Sequence, residues 1–574
     1  MELLKKFTEE SIKKVADKAK SPEETINFVE ERLKNAGLKL YKGVKRVDRG
    51  RLGIPVYMSF YDADGIKITG KYKQMGKGVT EDLAKASAIM ELVERISVFS
   101  FLETLETKSV FTSFEKLEEN AIPVEELINS VDIKEDIEVA KRIIPKVEFF
   151  FVKALDFKNK KEVYLPFHWF WVLHEYNGAS AGNTYPEAGV QGLCEVIERH
   201  ESSLVFKREP VLLEPEGLGK ETLNLIEKFK KLGVNLWLQD MRFDFSIPTI
   251  GAIAMDPSTF PKRSEIVYTA GTAPSPERAL IRTLTEVAQL AGDFDTEGKY
   301  EESGLPKFKD LKEAEFIINS EKKVSFKELP DFSSESHVEE LEKLIDEVYS
   351  RGFSVYFVDV EHPVLKVPAI YTVVAGARFR DRTEIPVLHH LVKVLSLYWD
   401  VEKQKTLLEE LTNELPHRYY LWAYLGRILR IKNRYEEAIM VYQKALSLEA
   451  PPEDRAAILS YMVEIFLEKG EYKKAIDTAI VALEIVELPE IYNLLGRAYY
   501  KIKDYYNAME AFLRATELNP ASAIDYANVG YCLKALNQLG AAEVFFRKAL
   551  QLDPDLTMAK RGLQYCESYL NTQN

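Results

Sequence analysis

The chain has 574 residues, too many for one hydrophobic core, so we expect at least two domains. Its hydrophobic content of 46% and charged content of 29% are typical of a soluble globular protein, and its formal net charge of −14 argues against direct binding of nucleic acid. No run of about 18 apolar residues occurs, and the charged N-terminal segment is unlike a secretory signal, so we expect no membrane span and a cytoplasmic location. The three cysteines, Cys194, Cys532 and Cys566, have no paired spacing, which favours a reducing compartment and no structural zinc.

The first part of the chain mixes predicted helices with predicted hairpins. Residues 1–36 should form two helices, the second starting at a capping box made by Ser21 and Glu24. Alternating apolar residues predict a hairpin over residues 52–72, with its turn at residues 62–65. Further strand-like runs are a hairpin at residues 148–167 and the segments 234–256, 263–270 and 353–376. This mixture predicts an α+β fold.

A Gly-Lys-Gly turn at residues 76–78 leads into the first of three helices with polar faces. Thr80 is its predicted N-cap. One face of this helix carries Ser87, Glu91, Glu94 and Arg95. Lys77 has two interpretations: a lysine before a helix N-terminus that contacts a phosphate, or an exposed lysine in a plain turn. The spacing of the glycines differs from that of a Walker P-loop.

The second helix lies in the segment NGASAGNTYPEAGVQGLCEVIERH, residues 177–200. Thr184 is its predicted N-cap, and Glu187, three residues later, predicts a capping box. Glu187, Glu195 and Glu198 fall on one face, with Arg199 beside them. One interpretation is a solvated acidic surface. The other is a metal site, because stacked carboxylates repel each other unless divalent cations neutralise them.

The third helix lies in ERALIRTLTEVAQ, residues 277–289, and repeats the pattern with Arg278, Arg282, Glu286 and Gln289 on one face. Three helices far apart in sequence thus present glutamates and arginines. Such a set suits a nucleoside triphosphate, since carboxylates bind Mg²⁺ and guanidinium groups bind phosphate oxygens. A nucleotide-free metal hydrolase would leave the arginines without a task.

These three segments closely resemble the nucleotide-binding signatures of the YcaO family, and the resemblance extends over about residues 1–395. The run VYFVDVEHPVLKVPAIYTVVAG also resembles the bacterial branch whose members are accessory factors for methylthiolation of a small-subunit ribosomal protein. The resemblance implies binding of ATP and Mg²⁺. It implies that the nucleotide-binding residues are Ser87, Glu91, Glu94, Asn183, Glu187, Glu195, Glu198, Arg199, Arg282 and Glu286. It further implies that the metal ligands come from Glu91, Glu94, Glu187, Glu195, Glu198 and Glu286.

Four histidines are candidates for proton-transfer groups, namely His168, His174, His200 and His362. His362 follows Asp359 and Glu361 near the end of a predicted strand, which could make a proton-transfer site. A structural role is the better interpretation for all four. No residue is therefore assigned a catalytic role. In family members of this kind an N-terminal segment can reach the nucleotide, and Ser11 is a loose candidate for that contact.

The last part of the chain is repetitive. Alanines recur at residues 438, 475, 508 and 542, and prolines close successive units at residues 489, 520 and 554. This period is the signature of tetratricopeptide repeats, which stack helix pairs into a solenoid. We therefore predict two domains, an α+β domain at residues 1–400 and an all-α repeat domain at residues 410–574, with about four helix pairs and a capping helix.

Two functions remain open at this stage. The first is an enzyme that uses Mg-ATP to activate a peptide backbone amide by phosphorylation, giving an azoline or a thioamide, while the repeats recruit a protein partner. The second is an accessory factor in which ATP binding acts as a clamp and the repeats hold a radical methylthiotransferase or a ribosomal protein. Azoline-forming family members end in a proline-rich C-terminus, whereas this chain ends in SYLNTQN. The peptide substrate and a homodimer are likewise left open.

Overall fold

The computed structural model describes residues 2–15, 17–295 and 307–573 of the chain. These residues form two compact units, one within residues 1–394 and one within residues 395–574. The stretch between the two predicted domains, residues 401–409, lies inside a helix, Val401–Glu414. A cut at the boundary between the two units, between Val394 and Leu395, leaves this helix whole.

The first unit combines fourteen strands with helices in the described residues. The strands are β1 (Tyr41–Arg46), β2 (Val56–Tyr61), β3 (Lys73–Lys77), β4 (Val110–Ser113), β5 (Glu148–Asp156), β6 (Lys161–Pro166), β7 (Ala179–Ala181), β8 (Val211–Glu214), β9 (Asn235–Asp240), β10 (Thr249–Met255), β11 (Val267–Thr272), β12 (Lys323–Ser325), β13 (Ser354–Asp359) and β14 (Ala369–Ala375). The helices are α1 (Glu2–Thr8), α2 (Pro22–Asn35), α3 (Ala63–Thr69), α4 (Glu81–Glu103), α5 (Leu105–Lys108), α6 (Phe114–Leu117), α7 (Val124–Asn129), α8 (Ile137–Ile143), α9 (Phe167–His174), α10 (Tyr185–Leu204), α11 (Lys220–Lys231), α12 (Pro276–Ala291), α13 (Glu315–Ile318), α14 (His337–Ser350) and α15 (Val387–Leu395).

The strands form three sheets. One has the order β1-β2-β3, a second has the order β11-β10-β9-β8-β12, and the third has the order β4-β5-β13-β14-β7 with β6 paired to β5. The strand pairs are antiparallel except for β12 with β8. Antiparallel sheets with separate helices confirm the predicted mixed architecture, and the predicted hairpin at residues 148–167 is β5 and β6.

The three signature helices connect these sheets. Helix α4 packs on the three-stranded sheet and also touches β7 of the six-stranded sheet. Helix α10 packs on β14 of the six-stranded sheet and also touches β11 of the five-stranded sheet, while α12 packs on β10 and β11 and also touches β3. Each helix therefore lies on one sheet and reaches the next. This cyclic arrangement brings the polar faces of the three helices together.

The predicted hairpin over residues 52–72 is wrong in its second half. The segment Ala63–Thr69 is a helix, and the partner of β2 is β3, after that helix. The Asp62 side chain accepts a hydrogen bond from the Ala63 N–H, and Gly70 ends the helix in the left-handed conformation at φ 63°. The two capping residues thus mark the ends of a short helix, which replaces the predicted turn and the start of the predicted second strand.

Strand β3 packs so closely on α4 that only glycine fits at position 76. A Cβ atom on Gly76 would lie 2.0 Å from the Ala88 backbone nitrogen and 2.6 Å from the Ala84 carbonyl oxygen. We expect Gly76→Ala to lower the free energy of unfolding by about 3 kcal/mol, because the obstacle is helix backbone and cannot rotate away. Urea unfolding followed by circular dichroism measures this. Gly540→Ala is the control, since no atom lies within 4 Å of that Cβ position, and it should cost no stability. A Gly76→Ala protein as stable as its parent would contradict this packing.

The second unit is a run of antiparallel helix pairs. Its helices are α16 (Val401–Glu414), α17 (Tyr419–Ile431), α18 (Tyr435–Leu446), α19 (Pro452–Glu468), α20 (Tyr472–Ile485), α21 (Pro489–Lys501), α22 (Tyr505–Leu518), α23 (Ala523–Ala535), α24 (Leu539–Leu552) and α25 (Thr557–Gln573). Within the pairs, Gly496 faces the ring of Phe512 and Gly530 faces the ring of Phe546, so a side chain larger than hydrogen would collide with the aromatic ring. The predicted all-α repeat architecture is confirmed. None of the helices in the described part of the chain is both long and apolar enough to span a lipid bilayer.

Candidate functional site

A cavity of about 350 Å³ lies where the three signature helices meet. Helices α4, α10 and α12 contribute most of its lining, and residues 17–20 and the end of β3 complete it. All ten residues that the sequence predicts for the nucleotide site line this one cavity: Ser87, Glu91, Glu94, Asn183, Glu187, Glu195, Glu198, Arg199, Arg282 and Glu286. The resemblance to the YcaO signatures implied this set, and helix spacing placed the residues of each helix on one face. Their role in binding stays a prediction.

The helix starts explain why the polar faces point into the cavity. The hydroxyl of Thr80 accepts a hydrogen bond from the Leu83 N–H at the start of α4, and that of Ser275 accepts one from Arg278 at the start of α12. The predicted N-caps at Thr80 and Thr184 are thus confirmed. The N-cap fixes where the helix starts, and each later residue follows at 3.6 residues per turn. The position of the cap therefore determines which face carries the glutamates about three turns further on.

Three carboxylates of the cavity, from helices α4 and α10, have raised pKa values. Burial raises the pKa of Glu91, Glu94 and Glu195 above the usual range for glutamate. The negative charges of Glu195 and Glu91 add to this effect at Glu94. The guanidinium of Arg95 lies 3.0 Å from Glu94 and 3.7 Å from Glu91, which offsets only part of the repulsion. A divalent cation bound to one or two of these carboxylates would relieve the remaining repulsion.

Glu198 and Arg282 place polar groups deeper in the cavity wall. Glu198 Oε2 accepts a hydrogen bond of 3.1 Å from the Thr272 N–H, which ties α10 to β11. Arg282 donates to Gln191 Oε1 at 2.8 Å, and its Nε–H is buried without a hydrogen-bond acceptor. Arg282 is half-buried, but a buried N–H without an acceptor among the described residues is costly, so this nitrogen suits an anionic group of a ligand.

Lys77 is the last residue of β3 and lines the cavity, so the interpretation as an exposed lysine in a plain turn is wrong. Its ammonium group forms an ion pair with Glu286. Burial, and then the nearby positive charge of Arg282, lower the pKa of Lys77 to about 8. A partly desolvated lysine between a carboxylate and a guanidinium has the position expected of a phosphate contact.

Glu187 does not complete the predicted capping box. Its backbone N–H does donate to the Thr184 hydroxyl. Its carboxylate, however, accepts hydrogen bonds from the Ala19 N–H at 2.9 Å and from the Asn183 backbone and side-chain amides at 3.1 to 3.3 Å. The buried carboxylate of Glu187 therefore joins the N-terminal segment to the loop before α10, because each supplies N–H donors to it. In a capping box the donor would instead be the backbone N–H of Thr184.

Residues 17–20 are part of the site that sequence reasoning missed. Asp17, Lys18 and Lys20 line the cavity, and the Asp17 carbonyl is 2.8 Å from His337 Nε2. Burial would raise the pKa of Asp17, but Lys18, Arg278 and Arg282 outweigh it and lower the pKa. No motif marks these residues, since a pairing between residues 19 and 187 fixes them in place. Ser11, the loose sequence candidate, instead lies buried against Thr184 and His337.

His200 and His362 make hydrogen bonds within the protein, and a structural role for all four histidines stays a prediction. His362 Nδ1 faces the backbone N–H groups of Val364 and Leu365 in a tight turn. His200 lies 3.1 Å from Asp244 and accepts a hydrogen bond from the Arg378 N–H. Burial lowers the pKa of both, so they are neutral hydrogen-bonding groups.

The residues of the cavity fit a metal–nucleotide complex. Seven cations line it, namely Lys18, Lys20, Lys77, Arg95, Arg199, Arg278 and Arg282. Seven carboxylates do so as well, namely Asp17, Glu91, Glu94, Glu187, Glu195, Glu198 and Glu286. The positive and negative charges of the cavity lining are equal in number. Such a lining suits a nucleotide whose phosphate charge is balanced by Mg²⁺ better than it suits a polyanion without metal. Among the described residues no three histidine, cysteine, aspartate or glutamate side chains converge as a ready-made metal group, and Mg²⁺ in nucleotide sites commonly uses one or two carboxylates with phosphate oxygens.

Comparison with known proteins identifies the family. A family model described as YcaO cyclodehydratase, ATP- and Mg²⁺-binding, matches residues 75–378, which is more than half of the chain. The chain belongs to the YcaO family. ATP and Mg²⁺ are therefore its cofactors, and tetratricopeptide-repeat models match residues 419–451, 489–522 and 526–556.

Similar proteins align with different fractions of this chain. An uncharacterized protein of Methanothermobacter thermautotrophicus is 28% identical over 381 residues, which are 62% of this chain and 93% of the relative. The ribosomal protein S12 methylthiotransferase accessory factor YcaO of Escherichia coli is 30% identical over 138 residues, 23% of each chain. A solved heterocyclase in complex with substrate and cofactor is 18% identical with a TM-score of 0.52, covering 65% of this chain and 54% of the heterocyclase, which shows the shared fold.

Proposed function

We propose that this YcaO protein uses Mg-ATP to activate a backbone amide of a peptide or protein substrate by phosphorylating the amide oxygen. The observation that carries the proposal is the cavity in which seven carboxylates and seven cations from α4, α10, α12, the end of β3 and the N-terminal segment converge. When bound, Mg-ATP supplies a phosphoryl group that turns the amide oxygen into a leaving group. A neighbouring thiol or hydroxyl of the substrate, or sulfide from a separate donor, then attacks the activated carbon and loses its proton, phosphate leaves with the former amide oxygen, and the product is an azoline or a thioamide, respectively.

The residues divide into two groups by chemistry. Glu91, Glu94 and Glu195 are the proposed principal metal ligands, since burial and mutual repulsion make them the carboxylates that gain most from a cation. Glu198 accepts a hydrogen bond from Thr272, and Glu286 pairs with Lys77. Both also belong to the proposed ligand set. Glu187 also remains in the predicted set, although its carboxylate already accepts hydrogen bonds from Ala19 and Asn183.

The arginines and lysines are the proposed phosphate-binding groups. Arg199 is 48% exposed on the cavity wall, whereas the Arg282 Nε–H is buried. Phosphate oxygens would satisfy the buried donor and would hold the transferred group in line with the substrate amide. No serine or cysteine nucleophile of the protein is needed, because the amide oxygen itself attacks the phosphorus atom. Catalysis then depends on positioning and on charge stabilisation.

The alternative function is that of an accessory factor for methylthiolation of a small-subunit ribosomal protein, with ATP binding used as a clamp. The observation that favours it is the combination of the repeat unit with similarity to the E. coli accessory factor. Tetratricopeptide repeats commonly hold protein partners. In this case the chain would bind ATP and a partner together without modifying the partner.

One experiment separates the two functions. Proteins retained by the full chain from its own cell extract in the presence of ATP are identified, and each is tested for stimulated phosphate release and for a mass change. Amide activation predicts stimulated release together with loss of water or replacement of oxygen by sulfur in the retained protein. A clamp predicts no mass change, and ATP and partner should tighten each other's binding by the same factor. Retention of nothing but nucleotide would contradict both functions.

A further inference from the structure

Residues 17–20 reach the cavity although they lie between helices α1 and α2 and belong to neither. Three of them line it, namely Asp17, Lys18 and Lys20. Their backbone makes two hydrogen bonds to distant parts of the described chain. One runs from the Ala19 N–H to Glu187 Oε2 at 2.9 Å, and the other joins the Asp17 carbonyl oxygen to His337 Nε2 at 2.8 Å. Glu187 belongs to the predicted nucleotide-binding set, whereas His337 does not.

The His337 ring contacts the N-terminal segment through both of its nitrogen atoms. The residue is buried at the start of α14. Its Nε2 carries a hydrogen and donates, because the carbonyl oxygen of Asp17 can only accept. Its Nδ1 lies 2.9 Å from the hydroxyl and 3.0 Å from the carbonyl oxygen of Ser11. The Ser11 hydroxyl in turn lies 2.6 Å from that of Thr184, the N-cap of α10. One imidazole ring therefore joins two points of the segment to each other and to the start of a signature helix.

Backbone contacts attach the same segment to the start of α14 at an earlier point. The His337 N–H donates to the Ser11 carbonyl at 2.9 Å, and the Lys13 N–H donates to the Glu335 carbonyl at 2.9 Å. A change of the His337 side chain removes neither of these donors. The contact of the ring with Asp17 is different, since it holds the backbone next to the residues that line the cavity. The ring therefore determines where residues 17–20 lie, rather than whether the segment is attached.

We propose that His337 is a positioning residue for nucleotide binding, which holds Lys18 and Lys20 where they contact phosphate oxygens. His337 itself lies outside the cavity lining. Lysine side chains are long and flexible, so their ammonium groups reach a defined place only from a fixed backbone. Loss of the ring leaves the Asp17 carbonyl without its donor and lets residues 17–20 move away from the cavity. The inference rests on the nucleotide site proposed above and adds to it a residue that acts without touching the nucleotide.

Calorimetry of Mg-ATP binding to the full chain tests this role. H337L removes the donor and should weaken binding at least about tenfold, the lower end of the range for groups that support ligand-binding residues. H337Q keeps an amide N–H near the position of Nε2 and should retain most of the affinity. The control H390L makes the same change at a buried histidine outside the cavity lining, whose Nε2 lies 2.9 Å from the Trp169 carbonyl oxygen. It should lower thermal stability and leave the affinity unchanged.

Three results of this experiment would overturn the inference. They are unchanged affinity in H337L, equal losses of affinity in H337L and H390L, and an H337Q protein that binds as weakly as H337L. Circular dichroism checks that each variant is folded. If H337L does not fold, H337N takes its place, because the shorter amide of asparagine can reach Ser11 but not Asp17.

A double-mutant cycle shows whether His337 acts through the two lysines. K18A/K20A should weaken Mg-ATP binding, and adding H337L to it should cause little further loss, because the lysines that the ring positions are already gone. Fully additive losses, or unchanged affinity in K18A/K20A, would overturn the inference. E94Q separates this failure from failure of the proposed site. Weaker binding in E94Q with unchanged binding in H337L refutes the role of His337 alone, whereas unchanged binding in both refutes the site as well.

Discussion

Replacing Glu94 with glutamine should weaken Mg-ATP binding by roughly a hundredfold, the scale of effect seen when a metal site loses a supporting group. The same change should raise the thermal stability of the protein without metal or nucleotide. The two effects have opposite signs because the charge of Glu94 favours metal binding but opposes folding in the absence of metal. Burial and the charges of Glu195 and Glu91 raise the pKa of Glu94 in the folded protein, so its ionised form opposes folding above the pKa of the unfolded chain. Glutamine keeps the shape and removes that charge.

Calorimetry of Mg-ATP binding and thermal unfolding measured at pH 7 check both halves of this expectation. Glu209→Gln is the control, since Glu209 is an exposed residue paired with Lys322 and should change neither quantity appreciably. A Glu94→Gln protein that is less stable without ligand would show that Arg95, 3.0 Å away, makes Glu94 a net stabilising partner. Unchanged affinity for Mg-ATP would remove Glu94 from the proposed metal ligands.

Removing residues 395–574 should abolish the stimulation of phosphate release by a protein partner while leaving Mg-ATP affinity within about twofold. The cavity is lined entirely by residues of the first unit, so its binding groups survive the cut. The repeats stack only on their neighbours, and the fragment of residues 395–574 should therefore fold by itself and compete for the partner. Loss of stimulation on truncation corresponds to loss of recruitment, because partner and nucleotide then meet only at their free concentrations.

Phosphate release is measured for the full chain and for residues 1–394, with the same partner at several concentrations. Circular dichroism of residues 395–574 shows whether this fragment is helical. Cutting near residue 405 instead would interrupt helix α16 and provides an informative comparison. Equal stimulation of the full chain and the truncated chain by one partner would show that the repeats are not the recruiting element.

Helix faces were the part of the site that sequence could predict. Glu91 and Glu94, or Glu195 and Glu198, are one turn apart, so their common orientation follows from helix geometry alone. The repeats were predictable for a similar reason, since the same spacing of alanine and proline recurs within one short stretch of chain. Local periodicity therefore accounts for the shared face within each helix, whereas the set of ten residues, Asn183 included, came from the resemblance to the YcaO signatures.

The missed parts depend on pairings between distant segments. Ala19 enters the site because its N–H binds Glu187, 168 residues away, and nothing near Ala19 indicates this. Helix α3 replaced a predicted strand because Asp62 and Gly70 act as helix caps, a choice that turn-forming residues leave open. The sequence leaves two interpretations of Lys77 because its environment depends on Glu286 and Arg282, which lie on α12, far away in sequence.

The circular packing of α4, α10 and α12 has a consequence for how the first unit unfolds. Because each helix lies on one sheet and touches the next, no sheet can detach without separating the faces that form the cavity. Local opening that exposes one sheet would then need nearly the free energy of global unfolding, and hydrogen exchange in β3, β11 and β14 should share one protection level. The nucleotide should shift that level for all three strands at once, since it binds only the assembled state.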